Sequence, residues 1–250
     1  MSETVNFAAA VPVGAWHDFF PVALESLASQ NAPLQVALLD ASNDPRVAAA
    51  ADASGIDFVY RRHGSDAGQS DAIKEGWRHT DAEIVFWLNG DDRLEPGALE
   101  RVSAVFRREP RPDVVYGGSE FLDAAGRCIG THDQVGDISP LLLRSNIISQ
   151  PSCFARRAAV EKVGGLDGDL HYVMDWDLWV RLYRDGARFE RLGDTLSAVY
   201  MGEGTKTGHV APARLTEVFN LVNRNAGLWP ATKSTLALIA HTLHSRWSAP

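Results

Sequence analysis

Apolar residues enter this chain in short continuous runs, and the stretches between them carry helical spacing. The runs at 6–11, 35–39, 57–61 and 83–88 predict buried strands. Between them, 19–30, 45–54 and 69–79 predict helices, each from its spacing or from a start signal such as Pro45 behind Asp44. Strand, helix, strand in regular alternation is the pattern of βαβ units, so an α/β fold with a mostly parallel central sheet is expected.

The pattern changes after residue 95. Pro96 is expected as the first-turn proline of a helix whose inner stripe is Leu99, Val102 and Phe106 and which ends near Arg108. Segments 114–116, 119–122 and 128–132, the last two flanking the turn Asp123-Ala124-Ala125-Gly126, depart from strict alternation and predict an added hairpin. Residues 212–226 and 231–247 predict two closing helices separated by Trp229-Pro230. The expected organisation is one domain over 1–210, with 211–250 as a C-terminal helical appendage packed on it.

Composition narrows the function classes. The 250 residues are 45% hydrophobic, enough for one sizeable core, and the formal net charge of −8 argues against a nucleic-acid partner. Cys128 and Cys153 form neither a disulfide framework nor a C-x-x-C pair, which suits a reducing compartment. With Glu3 where a leader would carry positive charge, and no apolar run of about 20 residues, the expectation is a cytoplasmic protein without a transmembrane segment. Any membrane association would come through its acceptor. The sequence sets no oligomeric state.

In open α/β sheets, ligands bind beyond the carboxyl ends of the strands. Here three successive strand-end loops carry acids: Asp40 to Asp44, the segment His63-Gly64-Ser65-Asp66-Ala67-Gly68-Gln69, and Asn89-Gly90-Asp91-Asp92. Turn and cap chemistry explains any one of them alone. Together they form a self-repelling, all-oxygen cluster that suits Mg²⁺ or Mn²⁺, with a nucleoside diphosphate supplying the remaining oxygens. Neither G-x-G-x-x-G nor G-x-x-x-x-G-K-[ST] is present, which counts against dehydrogenases and P-loop enzymes.

A fourth carboxylate stands apart. Residues 175–183 read as a helix with Trp176, Trp179, Val180 and Tyr183 as its buried stripe. Asp177 is expected on the solvent side, paired with Arg181 four residues on. Asp175 falls on the face of Leu178 and Leu182, aimed at the protein. There it serves either as a helix N-terminal acid or as a general base.

The ordered set Asp66-Ala67-Gly68-Gln69-Ser70-Asp71-Ala72-Ile73, Leu88-Asn89-Gly90-Asp91-Asp92 with Pro96-Gly97-Ala98-Leu99, Gln150-Pro151-Ser152 and Met174-Asp175-Trp176-Asp177-Leu178-Trp179 resembles family 2 glycosyltransferases of the GT-A fold, over roughly residues 5–206. The resemblance implies a nucleotide-sugar donor, an acceptor that is a saccharide or lipid-linked saccharide, and inversion at the anomeric carbon, in polysaccharide or glycoconjugate synthesis. It implies that Asp40 meets the base, that Asp66 and Asp71 position the nucleotide, that Asp91 faces ribose or sugar, and that Asp92 holds the metal. Pro12, Gly68, Gln69, Asn89 and Gly90 complete the donor side, Gln150 and Trp176 lie toward the acceptor, and Asp175 is the base. The chain departs from the family in the segment after Val11, in Lys74 where Asn is common, and in Tyr200 to Lys206, where relatives carry a His that His209 could replace. Two other readings stay open: a sugar-nucleotide-binding pseudoenzyme, and a nucleotidyltransferase on a related sheet.

Overall fold

The computed structural model describes residues 4–132, 138–202 and 211–247. Its first half is the expected alternation: β1 (Phe7–Val13), α1 (Phe20–Ala28), β2 (Leu34–Asp40), α2 (Pro45–Ala53), β3 (Phe58–His63), α3 (Gln69–Arg78) and β4 (Ile84–Trp87). These four strands pair in parallel in the order β3-β2-β1-β4. Neighbouring residues of β1 face opposite sides, so Ala8 and Ala10 join one apolar cluster and Phe7, Ala9 and Val11 the other. A parallel sheet covered on both faces needs such continuous apolar runs.

Pro12 sits inside β1 without breaking the ladder. The β1–β4 pairing stops at Ala10 and Trp87, and Leu88 N–H makes the last bond on that side, to Ala10 O. Pro12 faces the same side one step later, beyond the end of that pairing, so its missing N–H takes no bond from the paired residues. On the opposite side Val13 O accepts from Ala41 N–H at 2.8 Å.

Gly76 brings α3 close to the sheet. A Cβ there would lie 2.8 Å from Leu39 Cδ2, 3.0 Å from Ala10 Cβ and 3.3 Å from Ala37 Cβ. The helix therefore rests directly over β1 and β2, with Ala72, Ile73 and Trp77 buried around it.

The second half is mixed. It comprises β5 (Asp92–Leu94), α4 (Ala98–Phe106), β6 (Val114–Leu122), β7 (Cys128–Thr131), β8 (Cys153–Arg156), α5 (Arg157–Lys162), α6 (Met174–Arg184), β9 (Phe189–Tyr200), α7 (Pro212–Ala226) and α8 (Leu228–Trp247). The full order is β3-β2-β1-β4-β8-β6-β9-β5, with β7 on β6. The hairpin β6–β7 closes around residues 123–126 as expected.

Strand β3, expected buried, is instead the edge strand and has no buried residue, because only β2 pairs with it. In the second half three further expectations change. Segments 114–116 and 119–122 are one strand, β6, whose register slips at Gly117 and Gly118; a Cβ at Gly117 would collide with the Leu196 side chain and meet Asp194 O at 2.9 Å. Pro96 precedes α4 rather than opening it, because left-handed Gly97 (φ 69°) is its N-cap. The closing helices part at Gly227 (φ 91°), and Pro230 lies in the first turn of α8. A proline there forfeits no helical bond, since first-turn N–H groups have no acceptor within the helix.

Strands β5, β8 and β9 escaped the periodicity, being short or half-exposed. Among the described residues no helix is long and apolar enough to cross a membrane. Val218, Leu221 and Val222 of α7 share the apolar cluster of α3 and α6.

Candidate active site

Register puts the carboxyl ends of the parallel strands level, Val13 beside Asp40 and Asp40 beside His63. Asp40 is buried. One of its oxygens accepts from Ser42 N–H at 2.9 Å and Ser42 Oγ at 2.5 Å, and the other lies 2.8 Å from Nδ1 of half-exposed His63. The sequence reading named Asp40 alone, so His63 is an addition. Its signal was its place at the end of the strand next door.

In the following loop Asp66 accepts from Gly68 N–H at 3.0 Å and pairs with Arg62 at 3.3 Å. Gly68, at φ 131°, opens α3 in a conformation that side chains rarely adopt. Asp71 points outward from the first turn of α3 and pairs with Lys74 at 2.7 Å, so the lysine that departs from the family pattern holds a donor-side candidate.

The loop after β4 gathers the most. Gln69 Nε2 donates to Asn89 Oδ1 at 2.7 Å, and Asn89 Nδ2 donates to Asp92 Oδ2 at 3.0 Å and to Gln150 Oε1 at 3.1 Å. Gln150 Nε2 then donates to Trp87 O at 2.8 Å. Residues remote in sequence (Gln69, Asn89, Asp92 and Gln150) thus form one network. Gly90 packs beneath it, where a Cβ would meet Phe20 at 3.2 Å.

Asp92 is buried, and desolvation first, then the charge of Asp91, pushes its carboxyl pKa well up, with the Asn89 bond opposing. A cation would relieve both the desolvation and the repulsion from Asp91, and the donors are all oxygen, which fits Mg²⁺ or Mn²⁺. Among the described residues no three acids, histidines or cysteines gather to hold a metal alone, so the carboxylates fit a cation only if diphosphate oxygens share it. His209 lies outside the described residues.

The turn that carries Gln150 is held by Ser152 of its own motif and by three serines that no sequence pattern flagged. Ser119 Oγ lies 2.7 Å from Ser149 Oγ, 2.9 Å from Ser152 Oγ and 2.7 Å from Ser197 Oγ, all buried. These hydroxyls satisfy one another and pin the 149–152 turn against β6 and β9.

Helix α6 faces this network through α3. Gln69 touches Asn89, and its neighbour Ser70 donates to Met174 Sδ at 2.9 Å, one residue before Asp175. The sheet gives a second tie, with Trp87 of β4 and Trp179 of α6 stacked at 5.9 Å between ring centroids. Asp175 is half-buried and accepts from Asn146 Nδ2 at 3.0 Å. Burial raises its pKa, opposed by backbone N–H groups, by Asn146 and by the charge of Arg214.

Asp177 corrects the sequence reading. It is not on the solvent side but 5% exposed, bonded to Arg181 Nε at 2.7 Å and reached by Arg224 at 3.4 Å. Arg224 of α7 reaches it from outside the helix, and Arg181 is itself tied to Val163 O, partners that an isolated helix does not reveal. Tyr183, expected in the buried stripe, is only half-buried, while Leu178 and Leu182 are sealed. Trp176, expected toward the acceptor, is 4% exposed, and its indole N–H donates to Leu142 O at 2.6 Å. It anchors the 140–143 turn rather than presenting a surface.

An α/β sheet with acids at its parallel strand ends, faced by a helix bearing an inward aspartate, has the architecture of the GT-A nucleotide-sugar transferases. The profile of glycosyl transferase family 2 matches residues 17–164, more than half of the chain, and the chain belongs to that family. The match stops short of α6. An uncharacterised glycosyltransferase of Rickettsia prowazekii is 26% identical over 52% of this chain and 42% of its own length. The O-antigen biosynthesis protein RfbC of Myxococcus xanthus is 28% identical over 72% of this chain and 13% of its own. The chain therefore spans less than half the length of these relatives.

The fold matches TarS 1-349 of S. aureus in complex with UDP-GlcNAc, with TM-score 0.68 and 18% identity over 96% of this chain and 72% of that one. It also matches the mannosyltransferase PcManGT of Pyrobaculum calidifontis in complex with GDP-Man and Mn²⁺, at TM-score 0.62 and 14% identity over 97% and 76%.

Proposed function

We propose that this chain transfers a sugar from a nucleoside-diphosphate sugar to an acceptor hydroxyl, inverting the anomeric carbon, in the synthesis of a polysaccharide or other glycoconjugate. The observation that carries the reading is the inward carboxylate of Asp175, tied through Ser70 and Gln69 to the Asn89–Asp92 turn. In the transfer step the acceptor oxygen attacks the anomeric carbon while Asp175 takes its proton. The bond from that carbon to the diphosphate oxygen breaks, and the diphosphate leaves with the electron pair.

Each donor-side residue has a part in this reading. The Asp40–His63 pair meets the base, and Asp66, Gly68 and Gln69 shape the floor under the nucleotide. Pro12, Asn89, Gly90 and Asp91 border ribose and sugar, with Asp71 at the margin. Asp92, with Asp91 beside it, would hold Mn²⁺ or Mg²⁺, which neutralises the diphosphate and acts as a Lewis acid on the leaving group. Gln150 borders the acceptor side. The catalytic unit is 1–210, and 211–250 supports it from outside. The named fragments of the relatives support the same reading: O-antigen biosynthesis in one, UDP-GlcNAc and GDP-Man bound in two others.

Thermal denaturation with UDP-, GDP- and dTDP-sugars plus Mn²⁺ tests the donor class, because a ligand bound only by the folded state raises Tm. A concentration-dependent rise with one nucleotide is expected, and no rise with any of the three would contradict the reading.

A further inference from the structure

The helix that carries Asp175 does not cap itself. Val173 is its N-cap and offers no side-chain acceptor, and Trp176 stands at the third helical position, where a capping-box acid would reach back to the N-cap N–H. The acid comes instead from α7. Glu217 accepts from the backbone N–H of Tyr172 at 2.7 Å, of His171 at 3.1 Å and of Val173 at 3.2 Å. A carboxylate at a helix N-terminus also answers the partial positive charge there.

The rest of α7 is set to hold Glu217 in place. Val218, Leu221 and Val222 bury against the core shared with α6, and Arg224 reaches Asp177 at 3.4 Å. All three Glu217 bonds end on residues 171–173, immediately before the helical turn that bears Asp175. Of the described groups facing Asp175, Arg214 comes from α7, the Cys153 thiol from β8 and the neutral Asn146 amide from the loop before β8, while Tyr172 faces Arg214.

We propose that Glu217 is a positioning residue for sugar transfer: by clamping residues 171–173 through three backbone N–H groups, it fixes the first turn of α6 and the direction in which Asp175 meets the acceptor. The inference rests on the reading of Asp175 as the base. It gives the closing helices a function in catalysis beyond covering the core. A contact that served folding alone would leave the environment of the Asp175 carboxyl as it is. A clamp on its helical turn controls how far water reaches it.

The test compares the full chain with its Glu217→Ala, Glu217→Gln and Asp175→Asn variants. One readout is a ¹³C-carboxyl NMR titration of Asp175, its resonance identified by its loss in Asp175→Asn. The other is nucleotide release from UDP-GlcNAc or GDP-mannose in Mn²⁺. Loosening the turn hydrates the carboxyl, so Glu217→Ala should move the Asp175 titration to lower pH. It should also lower kcat by about ten- to a hundredfold, the usual effect of a misplacement near 1 Å, with nucleotide affinity unchanged. Glu217→Gln keeps one acceptor oxygen and should fall between, and it carries the test if the alanine variant does not fold. An Asp175 titration and kcat at wild-type values in the Glu217 variants, beside an inactive Asp175→Asn, overturns this inference alone. Wild-type kcat in Asp175→Asn overturns the base reading and this inference with it.

Discussion

Asn89 donates its amide to the carboxylate of Asp92 across 3.0 Å, and this bond settles what the strand-end turn presents. Asn89 Nδ2 is shared with Gln150, and Asn89 Oδ1 is taken by Gln69, so the side chain is fixed by partners from α3 and from the 149–152 turn. Asp92 is thereby oriented before any ligand arrives. UDP or GDP should bind more tightly with Mn²⁺ than with EDTA, and Asp92→Ala should abolish the difference. Asn89→Ala, which removes a bond to the carboxylate proposed to hold the metal, should weaken the Mn²⁺-dependent part by about ten- to a hundredfold. Calorimetry with and without Mn²⁺ decides this, and equal affinities in wild type would exclude the metal.

Asp175 gives a pH dependence with a definite sign. Burial raises its pKa above the ordinary aspartate value of about 3.9, and a base works only when deprotonated. The acid limb of kcat/KM should therefore lie above that value, with activity rising as pH rises through it. Stability runs the other way. The folded state holds this proton more firmly than the unfolded chain, so its contribution is present below the unfolded pKa and lost as pH rises through the folded one. Asp175→Asn should consequently have a higher Tm than wild type at pH 7, and the gap should close in acid. A lower Tm at pH 7 would contradict the assignment of burial as the main cause.

Asp177 should matter for stability rather than for chemistry. Its carboxylate serves Arg181 and Arg224 from a nearly sealed position, and Arg181 also donates to Val163 O at 2.6 Å. Asp177→Asn leaves those cations with a weaker acceptor and should cost about 1–3 kcal/mol, measured by denaturant unfolding. Its activity should stay close to wild type.

Gly76→Val tests the packing that sets the floor of the site. Its added atoms meet Ala10 and Ala37, whose Cβ atoms cannot swing away, as well as the more yielding Leu39. A loss of about 1–3 kcal/mol in unfolding free energy is expected, and an unchanged value would contradict the close seat of α3 on β1 and β2.

The parts of this molecule legible in its sequence are those whose physics is local. Continuous apolar runs predicted β1, β2 and β4 because a parallel sheet covered on both faces demands them, whereas β3 lies at the sheet edge and is half-exposed, and Gly68 and Asp66 read as a turn because their chemistry is that of a turn. What the sequence left hidden depends on approach from elsewhere. Asp177 reads as exposed on a bare helical wheel, yet it is buried and meets Arg224, which comes from a separate helix. Glu217 carries no local signal at all, since its acceptor role exists only where residues 171–173 pass beside it. The serine cluster behind Gln150 joins four positions between Ser119 and Ser197 that no spacing rule connects. Strand β5 is three residues long, and its pairing with β9 is what makes it a strand.

The central claim is that Asp175 accepts the proton from the attacking hydroxyl, and replacing its carboxylate by an amide of the same shape addresses that most directly. Nucleotide release from UDP-GlcNAc or GDP-mannose should be measured for wild type and Asp175→Asn alongside the affinity of each for the Mn²⁺–nucleotide. Nucleotide affinity should be unchanged and kcat lower by about 10²–10⁴-fold, the usual share of general-base catalysis. A kcat in Asp175→Asn comparable to wild type would contradict the claim.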